Sequence, residues 1–312
     1  MKSLLLGATG FIGTNLALSL LKLNNNLKLV GKVFTEEYKR MFDNALSDVS
    51  FVESFINVDT EFDTLISDVD TVYHLISSCV PANSNENIEK NIVFDIRMTI
   101  KLLDSMVRNK CAKIIFISSG GAIYGNMIED DKNELSYTSP VSAYGIQKLT
   151  IEKIIYLYNY LYGIDYRIIR LGNPYGRFQK ANTGQGIIPT LIEDAIVGKA
   201  FTVYGDGTNK RDYIYIDDAV SAILNISNNS TKYKLYNVGS GVGISINEII
   251  KAVSEIVNKS IDVKYVNSRS SDVKDIYLNT DRYKKEFGNP AKTSLHDGIL
   301  NTFKYIKGNN NV

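Results

Sequence analysis

The chain has 312 residues, room for one large α/β unit or two lobes, and 44% apolar with 22% charged residues exclude a disordered or low-complexity chain. Lys plus Arg number 35 against 34 Asp plus Glu, so the net charge of +1 gives no global electrostatic reason to bind nucleic acid or an anionic membrane. Only Cys79 and Cys111 are present, which makes neither a disulfide framework nor a zinc cluster and suits a reducing cytosol.

Short apolar runs at Ser3–Leu6, Lys28–Val33, Val49–Val52, Thr71–Ile76 and Lys113–Ser118 are predicted as buried strands. Between them Thr14–Leu23 and Val93–Arg108 have helical spacing, the second with Ile96, Ile100, Leu103 and Val107 on one stripe. A long helix is predicted at Ala143–Tyr162, followed by a strand at Tyr166–Leu171. Alternating strands and helices imply right-handed crossovers and a parallel sheet. The most apolar stretch, Phe11–Leu23, is interrupted by Asn15, Ser19 and Lys22, so no membrane span is expected and the chain reads as cytoplasmic.

The first strand runs into Gly7-Ala8-Thr9-Gly10-Phe11-Ile12-Gly13 and then a helix. That is the context in which a triple-glycine pattern binds a dinucleotide. Gly7 permits the tight turn, Gly10 lets the backbone approach a pyrophosphate, and Gly13 lets helix pack on strand. The helix start, at Phe11 and Ile12, supplies free N–H groups and a partial positive charge. The end of the second strand reads Gly31-Lys32-Val33, with no carboxylate for the ribose of NAD. Lys32 could face a 2′-phosphate or simply be solvated, which leaves NAD and NADP both open.

Tyr144 and Lys148 stand at i and i+4, on one face of a helix that starts just after Pro140. A free tyrosine has a pKa of about 10, too high for a base at neutral pH. An ammonium one turn away favours the phenolate and tunes it for proton transfer. At the end of the fifth strand, Ser118 and Ser119 sit beside the crevice where open α/β sheets bind ligands. Ser119 is the candidate to donate a hydrogen bond to the reacting oxygen. His74 reads as a packed strand residue. The second half holds most of the glycine turns and is expected to be a less regular, smaller lobe.

These segments, with Arg170-Leu171-Gly172-Asn173-Pro174-Tyr175-Gly176 and Val203-Tyr204-Gly205-Asp206-Gly207…Arg211-Asp212-Tyr213, resemble the extended short-chain dehydrogenase/reductase family in its sugar-nucleotide epimerase/dehydratase branch, over nearly the whole chain. The resemblance implies a doubly wound Rossmann fold at 1–170, completed by part of 208–238, and a smaller C-terminal substrate lobe at 171–312, with the active site between them. It implies that Tyr144 and Lys148 are the catalytic pair, that Asp59 lies near the adenine and Asn91 near the cofactor ribose. Asn173, Arg211 and Arg269 would contact the diphosphate of a nucleoside-diphosphate sugar, and Asp272 the nucleoside ribose. Two guanidinium forks suit a diphosphate.

Two departures stand out. The family's catalytic Ser or Thr, four positions before Tyr124-Gly125, is Gly120 here, and Cys79 replaces a lysine that many epimerases carry. Family dehydratases place an acidic pair where this chain has Gly121 and Ala122, so elimination lacks its proton donor. The expected activity is NAD(P)-dependent oxidation and reduction at C4 of a UDP-hexose, as a 4-epimerase with NAD. The alternatives are a sugar-nucleotide 4-keto reductase or 4-dehydrogenase, and a catalytically weak nucleotide-sensing protein. A homodimer is expected through Val93–Arg108 and Ala143–Tyr162, since Ile151, Ile154, Ile155, Leu157, Tyr158 and Leu161 exceed what one sheet face needs to cover.

Overall fold

The leucines of β1 (Lys2–Leu6) lie fully buried at the centre of a sheet, with Asn26–Gly31 (β2) on one side and Thr71–His74 (β4) on the other. This computed structural model describes residues 2–23, 26–81, 83–126, 132–182, 185–268 and 275–309. Between these strands run α1 (Phe11–Leu21), α2 (Glu36–Arg40), β3 (Val49–Glu53) and α3 (Phe62–Ile66). After β4 come α4 (Ile88–Arg108), β5 (Lys113–Ser119), α5 (Gly120–Ile123), α6 (Ala143–Tyr162), β6 (Asp165–Leu171), β7 (Asn173–Tyr175), α7 (Ile187–Val197) and β8 (Phe201–Tyr204). The chain closes with β9 (Lys210–Tyr215), α8 (Ile216–Asn228), β10 (Leu235–Val238), β11 (Gly243–Ser245), α9 (Ile246–Val257), β12 (Val263–Val266), α10 (Asp281–Phe287) and α11 (Leu295–Asn309).

The main sheet has seven strands in the order β10-β6-β5-β4-β1-β2-β3, and its pairs β1–β2, β1–β4, β2–β3 and β4–β5 are parallel. The reversal of strand order beside β1 is that of a doubly wound Rossmann sheet. Packing divides the chain into two units, Met1–Ser118 with Ala143–Ile169 and Ile223–Leu235, and Ser119–Ser142 with Arg170–Ala222 and Tyr236–Val312. In the first unit Leu4, Leu6, Val30, Val72 and Ile114 of the sheet meet Met98, Leu102 and Met106 of α4 and Ile151 and Ile155 of α6. Each such side chain contributes about 1.5–3 kcal/mol on burial.

Several boundaries differ from the sequence pattern. Helix α1 begins at Phe11 rather than Thr14, because Gly10 is its N-cap. Strand β2 stops at Gly31, and Lys32 and Val33 beyond it are exposed. Helix α4 begins at Ile88, where Asn87 accepts the Lys90 N–H at 3.1 Å. Its buried face is Asp95, Met98, Thr99, Leu102, Leu103 and Met106. Of the expected stripe, Leu103 is fully buried, Ile96 and Val107 are partly buried against the same core, and Ile100 is partly buried.

The second unit contains a three-stranded sheet, β11-β9-β7, and a parallel pair, β8 and β12. Its tie point is Asp212 on β9, which is 1% exposed. The carboxylate accepts from Ser240 N–H and Oγ (2.6 and 2.7 Å), Gly241 N–H (3.1 Å) and Leu278 N–H (3.1 Å). Burial pushes its pKa up, and these donors oppose that. Both cysteines are buried free thiols. Among the described residues no helix is long and apolar enough to cross a membrane, and no group of side chains could hold a metal ion.

Candidate active site

The turn from β1 to α1 is built by close backbone contacts. Gly7 has φ +91°, and the N–H groups of Gly7 and Ala8 both donate to Val30 O at 3.0 Å. Gly10 N–H donates to Gly7 O at 3.1 Å, and a Cβ on Gly13 would stand 2.1 Å from that same oxygen. Gly10 caps α1 without a side chain, and the first turn holds no acidic residue. The N–H groups at the start of α1, through Phe11, Ile12 and Gly13, therefore face outward with the helix dipole behind them. This backbone cradle fits a pyrophosphate.

At the tip of β2 there is no room for a side chain, since a Cβ on Gly31 would lie 2.5 Å from Thr9 Cγ2. Lys32 is exposed, with its ammonium 5.1 Å from the centroid of the Phe55 ring. A carboxylate does reach this tip, but from the neighbouring strand. Glu53 of β3 stands in register with Gly31 and accepts the Phe34 N–H at 3.1 Å. Asp59 lies in an exposed turn before α3, its N–H donating to Asn57 Oδ1 at 2.7 Å. Asn91 of α4 spends its amide on Ser84 O at 2.8 Å, tying the helix to the turn before it.

The first turns of α6 carry Tyr144, half-buried, and Lys148, 3% exposed. The Lys148 ammonium donates to Ile117 O at 3.1 Å and lies 5.7 Å from the Tyr144 ring centroid and 4.8 Å from that of Phe116. Burial lowers its pKa to about 8, against the opposing pull of Asp95, then Cys79 and Glu152. His74 is a packed strand residue, with Nε2 3.0 Å from Thr99 Oγ1 and its pKa lowered by burial to about 3.

The two serines at the end of β5 have different surroundings. Ser118 is buried and donates to Glu152 Oε1 at 2.6 Å. Ser119 makes no capping bond to α5. A Cβ built on Gly121 would have Ser119 Oγ at 4.0 Å and Asn173 Oδ1 at 3.7 Å, so both polar groups border one open spot. At Gly120 the methyls of Leu278 lie 2.5 and 2.9 Å from where a Cβ would sit. Leu278 thus fills the space that a side chain at 120 would take, and Asp212 accepts the Leu278 N–H. Ser119→Ala is expected to reduce turnover more than Ser118→Ala, whereas Ser118→Ala lowers the melting temperature because a buried carboxylate loses a donor, worth about 1–3 kcal/mol. Steady-state kinetics and thermal unfolding on both variants check this, and equal, small losses of turnover would mean that no serine hydroxyl assists.

Arg211 of β9 is partly buried, pairs in register with Ile244, and donates to Lys210 O at 2.8 Å. An open cleft of about 620 Å³ is lined by Gly205, Asp206, Tyr265, Val266, Asn267 and Ser268, at the C-terminal ends of β8 and β12. Arg269 and Asp272 follow this lining in sequence but lie outside the described residues.

The model of the NAD dependent epimerase/dehydratase family matches residues 3–239. The chain belongs to this family. Its cofactor is NAD, and the glycine cradle fits that group. A relative in Methanocaldococcus jannaschii, provisionally named a UDP-glucose 4-epimerase, is 30% identical over 98% of this chain and 99% of its own. The structure of a UDP-glucose 4-epimerase with UDP-glucose from Thermotoga maritima matches with a TM-score of 0.91, at 27% identity and 99% coverage of both chains. That of a UDP-glucuronic acid 4-epimerase from Bacillus cereus, in complex with UDP-glucuronic acid and NAD, matches with a TM-score of 0.88, also at 27% identity and 99% coverage of both.

Sequence reasoning missed the polar groups packed around Lys148 in this epimerase-family chain: Asp95, Gln147 and Glu152, all buried. Two signals were present. Glu152 is at i+4 from Lys148, and Asp95 shares its helix face with Met98 and Leu102.

Proposed function

We propose that the enzyme interconverts the C4 epimers of a UDP-hexose. The observation that carries this reading is Tyr144 one helical turn from a wholly buried Lys148. Tyr144 takes the proton of the C4 hydroxyl and later returns it. Lys148 holds positive charge beside the ring and favours the phenolate while that proton is away. The glycine cradle at Gly7, Gly10 and Gly13 would hold NAD by its pyrophosphate, and that group would supply a reversible acceptor for the C4 hydride. Ser119 donates a hydrogen bond to the reacting oxygen, in place of a hydroxyl at 120. Arg211 and Arg269 grip the diphosphate, Asn173 assists them, and Asp272 takes the nucleoside ribose. Anchored by its diphosphate, the 4-keto sugar stays bound while its ring turns over.

Asp59 serves the adenine of the cofactor and Asn91 its ribose, while Lys32, exposed beside Phe55, stands where a 2′-phosphate would lie and has no such group to meet on NAD. No second substrate is needed, and the absence of an acid at Gly121 and Ala122 disfavours dehydration. UDP bases and 4-epimerase activity in the similar proteins support the choice of substrate class. The test is to incubate the protein with UDP-glucose, UDP-galactose, their N-acetyl forms and UDP-glucuronate, with NAD and no other reactant. Formation of a C4 epimer is expected. No epimer from any of them, with NAD(P)H consumed on a 4-keto sugar instead, would make the protein a reductase.

The same reading includes a homodimer. Ile151, Ile155 and Tyr158 of α6 belong to the core, but Tyr156, Leu157, Tyr160 and Leu161 of α6 and Val93 of α4 are exposed. Burying such a face against a second copy removes it from water. Light scattering at micromolar concentration is expected to give twice the chain mass of 34.9 kDa, and a monomer would contradict it.

A further inference from the structure

An ammonium taken out of water needs a counter-charge, or its pKa collapses. Lys148 donates to one carbonyl, that of Ile117, and touches two aromatic rings, none of which carries a full charge. Four titratable groups face it besides Tyr144. From α6 itself comes Glu152, whose carboxylate receives the Ser118 hydroxyl. From β4 comes His74, held neutral by burial, and from the loop after β4 the Cys79 thiol, whose pKa burial raises. From α4 comes Asp95, 1% exposed.

Asp95 is tied on three sides. Its carboxylate accepts the Ser78 N–H at 2.8 and 3.2 Å and the side-chain amide of Gln147, and its own carbonyl accepts the Thr99 hydroxyl at 2.7 Å. Gln147 is the residue before Lys148, and its amide oxygen in turn takes the Cys79 thiol at 3.5 Å. We infer that Asp95 is a positioning residue for the reaction: its buried carboxylate, bonded to the Gln147 amide and the Ser78 N–H, fixes the turn of α6 that carries the Tyr144–Lys148 pair and sets a fixed negative group behind it. This rests on Tyr144 and Lys148 being the proton-transfer pair.

The geometry explains why a carboxylate is kept in the apolar face of α4, where burying it is costly. It meets a fixed donor from each neighbouring element, and its charge offsets that of an equally buried lysine. Removing the charge leaves Lys148 less able to hold its proton, so the neutral form takes over at lower pH. Tyr144 then loses the ammonium that favours its phenolate.

Asp95→Asn tests this, since it keeps the shape and an acceptor for Ser78 N–H but removes the charge. The alkaline limb of kcat is expected to move down by about one pH unit, the shift a neighbouring opposite charge commonly gives, with KM for the sugar nucleotide unchanged. Turnover at pH 8.5 falls about tenfold, and Asp95→Glu recovers most of it. A second readout needs no turnover. In protein with 13C-labelled lysine, the Lys148 signal, assigned by its loss in Lys148→Arg, titrates at lower pH in Asp95→Asn than in wild type. Should Asp95→Asn fail to fold by circular dichroism, the Lys148 titration is read in a folded Asp95→Ser, which also removes the charge. A folded variant whose alkaline limb and Lys148 titration stay at the wild-type pH, or move up, overturns the inference. Tyr144→Phe in the same series separates the two ideas. If it keeps its turnover the catalytic pair is wrong, whereas if it is inactive and Asp95→Asn is unshifted only the role of Asp95 is lost.

Discussion

Tyr144→Phe is expected to lower turnover by about three orders of magnitude, near the upper range for a general acid–base group. That loss corresponds to about 4 kcal/mol of barrier, at about 1.36 kcal/mol per tenfold. The variant removes one oxygen and leaves the ring, and Tyr144 is only half-buried on the first turn of α6. Folding should therefore be unaffected, with the unfolding free energy within about 0.5 kcal/mol of wild type, as for substitutions outside the core. Lys148 keeps its contact with Ile117 O, so the helix start stays in place. Single-turnover kinetics with the sugar nucleotide separate the chemical step from release. A large fall in kcat with KM little changed is the signature of a group that acts on the reacting atoms. Turnover within tenfold of wild type would remove Tyr144 as the base and leave the fold untouched.

How much of this was legible beforehand differs from residue to residue, for physical reasons. The glycine cradle was legible because backbone crowding leaves no alternative residue at Gly13, and such positions show in any single sequence. The Tyr144–Lys148 pair was legible because i and i+4 fix a shared helix face without any tertiary information. The buried carboxylates were not. Asp95 and Glu152 look like solvated helix residues until α4 packs on α6, and only that contact turns them inward. Gly120 shows a different limit. The resemblance leads one to expect a hydroxyl there, but the Leu278 side chain that occupies the space comes from a distant segment, placed by Asp212. In the same way, Glu53 reaches the tip of β2 through strand register and not through its position in the chain.

Gly13→Ala should be the most damaging single change in the first unit. The added Cβ would meet Gly7 O at 2.1 Å, Gly7 C at 2.9 Å and Ala8 Cα at 3.0 Å, all of them backbone atoms of the turn itself. A side chain could swing aside, but a backbone held by bonds from Gly7 and Ala8 to Val30 O cannot. Relief requires α1 to move away from β1, opening the contacts of Leu16, Ala17 and Leu20, all fully buried. Overpacking of this kind costs about 1–3 kcal/mol or more. The same displacement pulls the first N–H groups of α1 out of line with the pyrophosphate, so NAD affinity falls together with stability. Gly10→Ala provides the contrast. Gly10 has φ −81°, which alanine adopts freely, and its Cβ would meet only Gly7 O at 3.2 Å. That variant should fold nearly as well as wild type and lose mainly cofactor affinity, because its methyl stands where the backbone must approach the phosphates. Thermal unfolding and NAD titration on both variants check the difference. A Gly13→Ala protein that melts and binds NAD like wild type would show that α1 can slide without cost, and that the close approach at Gly13 does not set the cradle.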